Sequence, residues 1–95
     1  MNYSVYILFS PSIDKFYVGY TESLEIRLAQ HNSGLFDKAY TKKVSDWKIF
    51  YSIECHSISQ AIMIEKHIKK MKSKNYYFSL KKYPEITQKL KDKYQ

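Results

Sequence analysis

Cysteine is almost missing from this chain: Cys55 is the only one in 95 residues. No intramolecular disulfide and no cysteine-based zinc site can form within it, and a reducing, cytoplasmic setting is the simplest expectation. Long apolar runs are also missing, which excludes a membrane-spanning helix. The opening stretch MNYSVYILFS has neither a basic leader nor a small-residue cleavage site, so it reads as a strand and not as a signal peptide. Internal repeats and linkers are lacking too, and 95 residues give little room for a second core. The expectation is one domain over residues 1–95, with its motifs within about 3–80 and a basic helical tail over 81–95. Arginine is as scarce as cysteine. Arg27 is the single arginine among 16 basic residues, so it is a candidate for work that needs the planar, always-charged guanidinium fork.

What is present is positive charge and aromatic rings. The formal net charge is +7, the pI is near 9.4, and ten of the fifteen lysines lie from Lys66 onward. Such a balance favours a polyanionic partner, meaning nucleic acid or an anionic membrane. The plainer reading is lysine used for solubility. The Pro84–Gln95 segment is too weakly apolar for firm membrane attachment. The apolar fraction of 44% is ordinary for a globular chain and argues against wholesale disorder.

The segment from Tyr3 to Phe9 is rich in β-branched and aromatic residues, which suit a pleated surface. Val5, Ile7 and Phe9 point one way; Ser4, Tyr6 and Leu8 point the other. Residues 10–14 carry turn chemistry, and Lys15 to Tyr20 reads as a second strand. Pairing Phe9 with Asp14 closes a hairpin over about four residues and sets Tyr6 opposite Tyr17. A helix follows from an N-cap within Thr21–Ser23, ending at Asn32 to Gly34. Arg27 and His31 are four apart on it, hence on one face. Trp47 to Cys55 alternates as a third strand. Ser57 and Gln60 open a helix with Ala61, Ile64, Ile68 and Met71 at core spacing, and Glu65 lies beside that stripe. A carboxylate there is partly desolvated and needs a cation or a donor. Ser73 caps a further helical turn, and Pro84 begins a last amphipathic helix. The fold class is α+β: a short three-stranded antiparallel sheet flanked by helices, order β-β-α-β-α-α.

These residues carry a resemblance. Ser4, Val5 and Tyr6, then Tyr17, Val18 and Gly19, then a helix bearing Arg27 and His31, then Ala61 followed by Glu65, resemble the GIY-YIG nuclease superfamily in order and spacing over roughly residues 3–80. Each short motif recurs by chance; their conjunction does not. The chain looks like the small standalone members. Ser4 stands where the first motif usually has Gly. The resemblance implies a metal-dependent endonuclease acting on nucleic acid, DNA first and branched or repair-related substrates among them. It implies Tyr6, Tyr17, Arg27 and His31 as catalytic residues, Glu65 as ligand to one Mg²⁺ or Mn²⁺, and Asn75 as a late polar contact. Lys42, Lys43, Lys69, Lys72 and Lys74 are the nucleic-acid-binding candidates. Tyr76 and Tyr77 are available for stacking on bases.

The chemistry suits these residue types. Phosphodiester hydrolysis aligns water with a leaving oxygen while charge spreads over the phosphoryl oxygens, so positioning and electrostatics dominate. Mg²⁺ keeps several waters, so one carboxylate suffices to hold it. An arginine grips phosphate bidentately. A phenol, with a reference pKa near 10, works as a base only where neighbouring charge favours its ionised form. Each residue also has an ordinary reading: cross-strand packing for the tyrosines, an ion pair to Glu22 or Asp46 for Arg27, a surface helix end for His31, and an i to i+4 pair with Lys69 for Glu65. Two other functions fit the same composition. One is a non-catalytic nucleic-acid-binding module; the other is a partner-dependent subunit that docks through Phe36, Tyr40 and Phe50, the partner supplying specificity. DNA against RNA, the choice between the two tyrosines, and oligomeric state are not legible from residue types.

Overall fold

A computed structural model describes residues 2–33 and 44–95. The element order is β1 (Tyr3–Ser10), β2 (Lys15–Thr21), α1 (Leu24–Asn32), β3 (Lys48–Cys55), α2 (Ile58–Met71), α3 (Lys74–Lys82) and α4 (Pro84–Lys93). The sheet is antiparallel with order β2-β1-β3, so the first strand is central. That position explains its composition. Val5, Tyr6, Ile7 and Leu8 are all buried because both faces of β1 are covered.

The two faces carry different cores. Val5, Ile7, Phe16, Val18 and Ile53 pack under α2, α3 and α4, which contribute Ala61, Ile64, Ile68, Leu80 and Leu90. On the opposite face Tyr6, Leu8 and Trp47 pack with Tyr17 and with Leu24 and Leu28 of α1. The alternation expected along β1 and β2 holds throughout.

The hairpin register differs from the expected one. Tyr6 pairs with Gly19, and Leu8 with Tyr17; the last pair is Ser10 with Lys15. The connection still spans four residues, 11–14, but it lies one residue further along the chain. Two residues cause the slip. Ser10 is fully buried and donates to Asp46 Oδ1 at 2.6 Å, which holds it in the ladder. Asp14 takes φ of 51°, a left-handed turn conformation that a strand residue cannot hold. Between Ile7 and Leu8 the β1–β3 register shifts at a bulge, leaving Phe50 as the extra residue of β3.

The helix starts follow side-chain caps. Ser23, Ser57 and Ser73 each accept from the backbone N–H three residues on, in Ile26, Gln60 and Tyr76. The segment opened by Ser73 is a full helix with Leu80 buried, so the order ends in three helices, β-β-α-β-α-α-α. Gln60 accepts from His56 N at 3.0 Å and donates through Nε2 to Lys91 O at 3.2 Å, joining the start of α2 to α4. No helix among the described residues is long and apolar enough to cross a membrane.

Candidate active site

The site grows from the hairpin. Tyr6 and Tyr17 share the α1-facing side of the sheet, on neighbouring strands and diagonal to one another, with ring centroids 6.3 Å apart. The residue directly opposite Tyr6 is Gly19, and this decides where the Tyr6 ring goes. A Cβ at Gly19 would sit 2.5 Å from the Tyr6 hydroxyl and 2.7 Å from Cζ. Gly19 therefore lets the phenol lie flat across β2. The close partner that Gly19 admits is thus a side chain of the neighbouring strand.

Helix α1 brings the other groups. His31, in its last turn, is 2% exposed, not the surface residue that its position near a helix end suggests. Its Nε2 lies 3.4 Å from the Tyr6 hydroxyl, and its ring is 4.7 Å from that of Tyr17. Trp47 covers it from the other side at 6.2 Å. Asn32, the next residue, clamps Trp47: its Nδ2 donates to Trp47 O at 3.0 Å, and its Oδ1 accepts from Trp47 N at 2.7 Å. The clamp and the tryptophan lid were missed in the sequence, because their signal is a pairing across 15 residues. Of the ion-pair candidates for Arg27, Asp46 accepts from Ser10 and Ser12, and Glu22 accepts from Tyr3.

Electrostatics tie these residues into one unit. Burial pushes the Tyr6 phenol up to about 12, although the Arg27 guanidinium beside it pulls the other way. Glu65 adds to the upward push, so the α2 carboxylate and the buried phenol lie within one electrostatic neighbourhood. Burial, and then Arg27, lower His31 to about 4, which leaves the imidazole neutral at pH 7. Glu65 belongs to α2, the helix that packs on the other face of the sheet. Its side chain is 12% exposed and pairs with Lys69 Nζ at 3.0 Å.

Tyr17 opens outward. With Phe16, Val18, Lys69, Lys72 and Tyr77 it lines a hollow of about 260 Å³. The edge strand at Tyr17 thus borders a lysine-rich concavity, while Tyr6 is buried at 2% exposure. Residues 2–78 match the family model described as the GIY-YIG catalytic domain.

The chain belongs to the GIY-YIG family.

This is a nuclease-type family, and nucleic acid is the substrate class that it implies. The chain is 37% identical over 81 residues to a UPF0213 protein of Syntrophus aciditrophicus (strain SB), covering 85% of this chain and 92% of that one. It also resembles the solution NMR structure of a UPF0213 protein from Bacillus halodurans. That likeness has a TM-score of 0.53 and 28% identity, over 93% of this chain and 94% of that one.

The GIY-YIG residues fit a hard divalent cation better than a structural metal. No group of three His, Cys, Asp or Glu side chains that could hold an ion occurs among the described residues, which excludes a closed zinc-type cage there. One carboxylate suits a cation that keeps most of its waters and takes further oxygens from phosphate. Lys69, at 3.0 Å, already sets a positive charge against Glu65.

The basic candidates divide. Lys69 and Lys72 line the hollow beside Tyr17; Lys74 lines the adjoining one with Lys15 and pairs with Asp14 at 3.4 Å. Asn75 is exposed in the first turn of α3 and lines neither hollow. Lys42, Lys43, Phe36 and Tyr40 lie outside the described residues. Phe50 is no loose aromatic contact: it packs against Phe16 and Phe78, with Lys81 Nζ 4.5 Å from its ring centre. Tyr76 packs beside His67, and Tyr77 against Phe16, so each has a neighbouring ring within the fold.

Proposed function

We propose that this protein is a metal-dependent endonuclease that hydrolyses phosphodiester bonds, with DNA as the first substrate to test and branched or repair-related forms among its targets. The observation that carries the reading is the meeting of Tyr6, Tyr17, Arg27 and His31 on one sheet face, with Glu65 in electrostatic reach of Tyr6, inside a GIY-YIG domain. Tyr17 lines the open hollow, so it is the tyrosine that meets the substrate and orients the attacking water. Tyr6, raised to about 12 and buried, stays protonated and serves as a fixed hydroxyl between Gly19 and His31. His31, neutral at pH 7, acts as a hydrogen-bond partner and not as a cationic phosphate ligand. Arg27 supplies the permanent charge for the phosphate. Glu65 would hold Mg²⁺ or Mn²⁺, which supplies charge stabilisation at the scissile phosphate when bound.

The test is cleavage of labelled single-stranded, duplex and branched DNA and of structured RNA, with Mg²⁺, Mn²⁺ or EDTA. The expected result is metal-dependent cutting, lowered about 100-fold or more by Tyr17→Phe, Arg27→Ala and Glu65→Ala. The 3.0 Å pair between Glu65 and Lys69 favours a second reading, a non-catalytic nucleic-acid-binding module in which that carboxylate is structural. Tight, salt-sensitive binding with no cutting in any metal would establish that reading instead. Cutting that appears only on addition of a protein partner would identify a partner-dependent subunit.

A further inference from the structure

Two hollows adjoin along the outer edge of β2. The first, about 260 Å³, starts at Tyr17 and is lined by Phe16, Lys69, Lys72 and Tyr77. The second, about 240 Å³, shares Phe16, Lys72 and Tyr77 with it and adds Lys15 and Lys74. Together they form a short trough leading away from Tyr17. Its aromatic lining is the half-buried Tyr77 ring, backed by the buried Phe16, and Lys15, Lys69, Lys72 and Lys74 line it as well.

Lys72 lies in both hollows, and its backbone is unusual. It follows α2 with φ of 49° and ψ of 43°, the left-handed conformation in which helices usually place Gly or Asn. Among the described residues the other left-handed one that is not glycine is Asp14, a type that tolerates this conformation, and it pairs with Lys74. A lysine kept where glycine would be relaxed is a local cost. The cost is accounted for if the ammonium is needed at that point. Lys69 is engaged by Glu65 and Lys74 by Asp14, whereas neither Lys15 nor Lys72 makes an ion pair among the described residues.

We infer that this trough holds a single nucleic-acid strand flanking the cleaved bond, with Lys72 and Lys15 on its phosphates and the half-buried Tyr77 ring, backed by Phe16, beneath its bases. The inference deepens the nuclease reading and rests on it for the direction of the strand, away from Tyr17. A lysine-lined groove with an aromatic ring in it is the chemistry that tracks a single strand. A duplex presents its backbone outward with the bases stacked inside, and so makes no use of that ring.

Lys72→Gly separates a binding residue from a structural one, because the two roles predict opposite results. The probes are fluorescein-labelled dT20, the RNA analogue rU20 and a 20-base-pair duplex, titrated in EDTA so that nothing is cut. Binding is then read independently of cleavage. For Lys72→Gly the thermal midpoint should stay or rise, since the left-handed backbone is relaxed. Affinity for dT20 should fall several-fold, and the slope of log affinity against log salt should shrink by about 0.7, the share of one phosphate contact on a single strand. Lys72→Gln should lose the same slope, Lys72→Arg should retain it, and Lys89→Ala on α4 should change nothing. The dT20 and rU20 arms identify which backbone is taken. Unchanged affinity and slope in both Lys72→Gly and Lys72→Gln would overturn the assignment. Duplex binding tighter than dT20, and equally weakened by Lys72→Gln, would overturn the single-strand trough. Loss of strand binding without any nuclease activity in the wild type would leave the trough standing and sink the nuclease.

Discussion

At the scale of single residues, His31 is a buried imidazole beside the Tyr6 hydroxyl and under Trp47. The tyrosines, Arg27, His31 and Glu65 could be picked out because their spacing repeats a family pattern. Nothing within five residues of His31 announces that it is buried, because its cover, Trp47, arrives from beyond α1 and is held by Asn32. That burial has a consequence in pH. The charged imidazole is the form penalised in the fold, so His31 is lowered from 6.5 to about 4. Between those values the unfolded chain binds more protons than the folded one, and stability rises with pH. The contribution is complete above pH 6.5 and is lost as pH falls toward 4. At 1.36 kcal/mol per pH unit it amounts to about 3 kcal/mol. In urea denaturation the stability of the wild type should fall relative to His31→Phe by that amount over this window. Parallel profiles for the two proteins would show that the imidazole does not titrate as an isolated buried group.

At the scale of elements, strands and helices followed their sequence signals closely. Serine caps, the alternation of β1 and the Pro84 start all behave as local chemistry directs. The hairpin register did not, and it failed for a long-range reason. Ser10 looks like a turn residue until Asp46, 36 residues away, takes its hydroxyl. Register matters here because it sets Gly19, and not Tyr17, against Tyr6. The phenol then has room to lie down, and its hydroxyl comes within 3.4 Å of His31 Nε2. Gly19→Ala tests this arrangement. Its Cβ would meet the buried Tyr6 hydroxyl at 2.5 Å, so the ring must lift away from β2. The expected cost is about 1–3 kcal/mol, typical of overpacking a well-filled interior. Removing the hydroxyl with Tyr6→Phe in the same chain should recover part of it, since Cζ at 2.7 Å still collides. A thermal or urea denaturation series on the single and double variants reads the coupling. Simple additivity of the two substitutions would mean that the ring does not lie over Gly19.

At the scale of the whole molecule, the family match and the folded body do not end together. The GIY-YIG domain matches residues 2–78, yet α4 lies wholly beyond it. A basic segment of weak hydropathy reads as a solvated appendage, which is how residues 81–95 look in sequence. The apolar content of α4 is sparse but well placed. Leu90 is buried in the main cluster beside Ala61, Ile64 and Ile68, with Ile86 and Tyr94 packed against it. Polar ties reinforce the seat: the Tyr51 hydroxyl meets Thr87 Oγ1 at 2.6 Å, and the Tyr94 hydroxyl meets His67 Nδ1 at 3.2 Å. The helix therefore closes one end of α2, the same helix that carries Glu65 and Lys69. Leu90→Ala should cost about 2–5 kcal/mol, the range for truncating a buried leucine, although no charge is changed. Lys89→Ala and Lys93→Ala, exposed on the same helix, should each change stability by less than about 0.5 kcal/mol. Urea denaturation of the three proteins decides between a seated helix and a tail. If Leu90→Ala were as mild as the lysine substitutions, α4 would be a charged appendage, and α2 would have to owe its placement to the sheet and α3 alone.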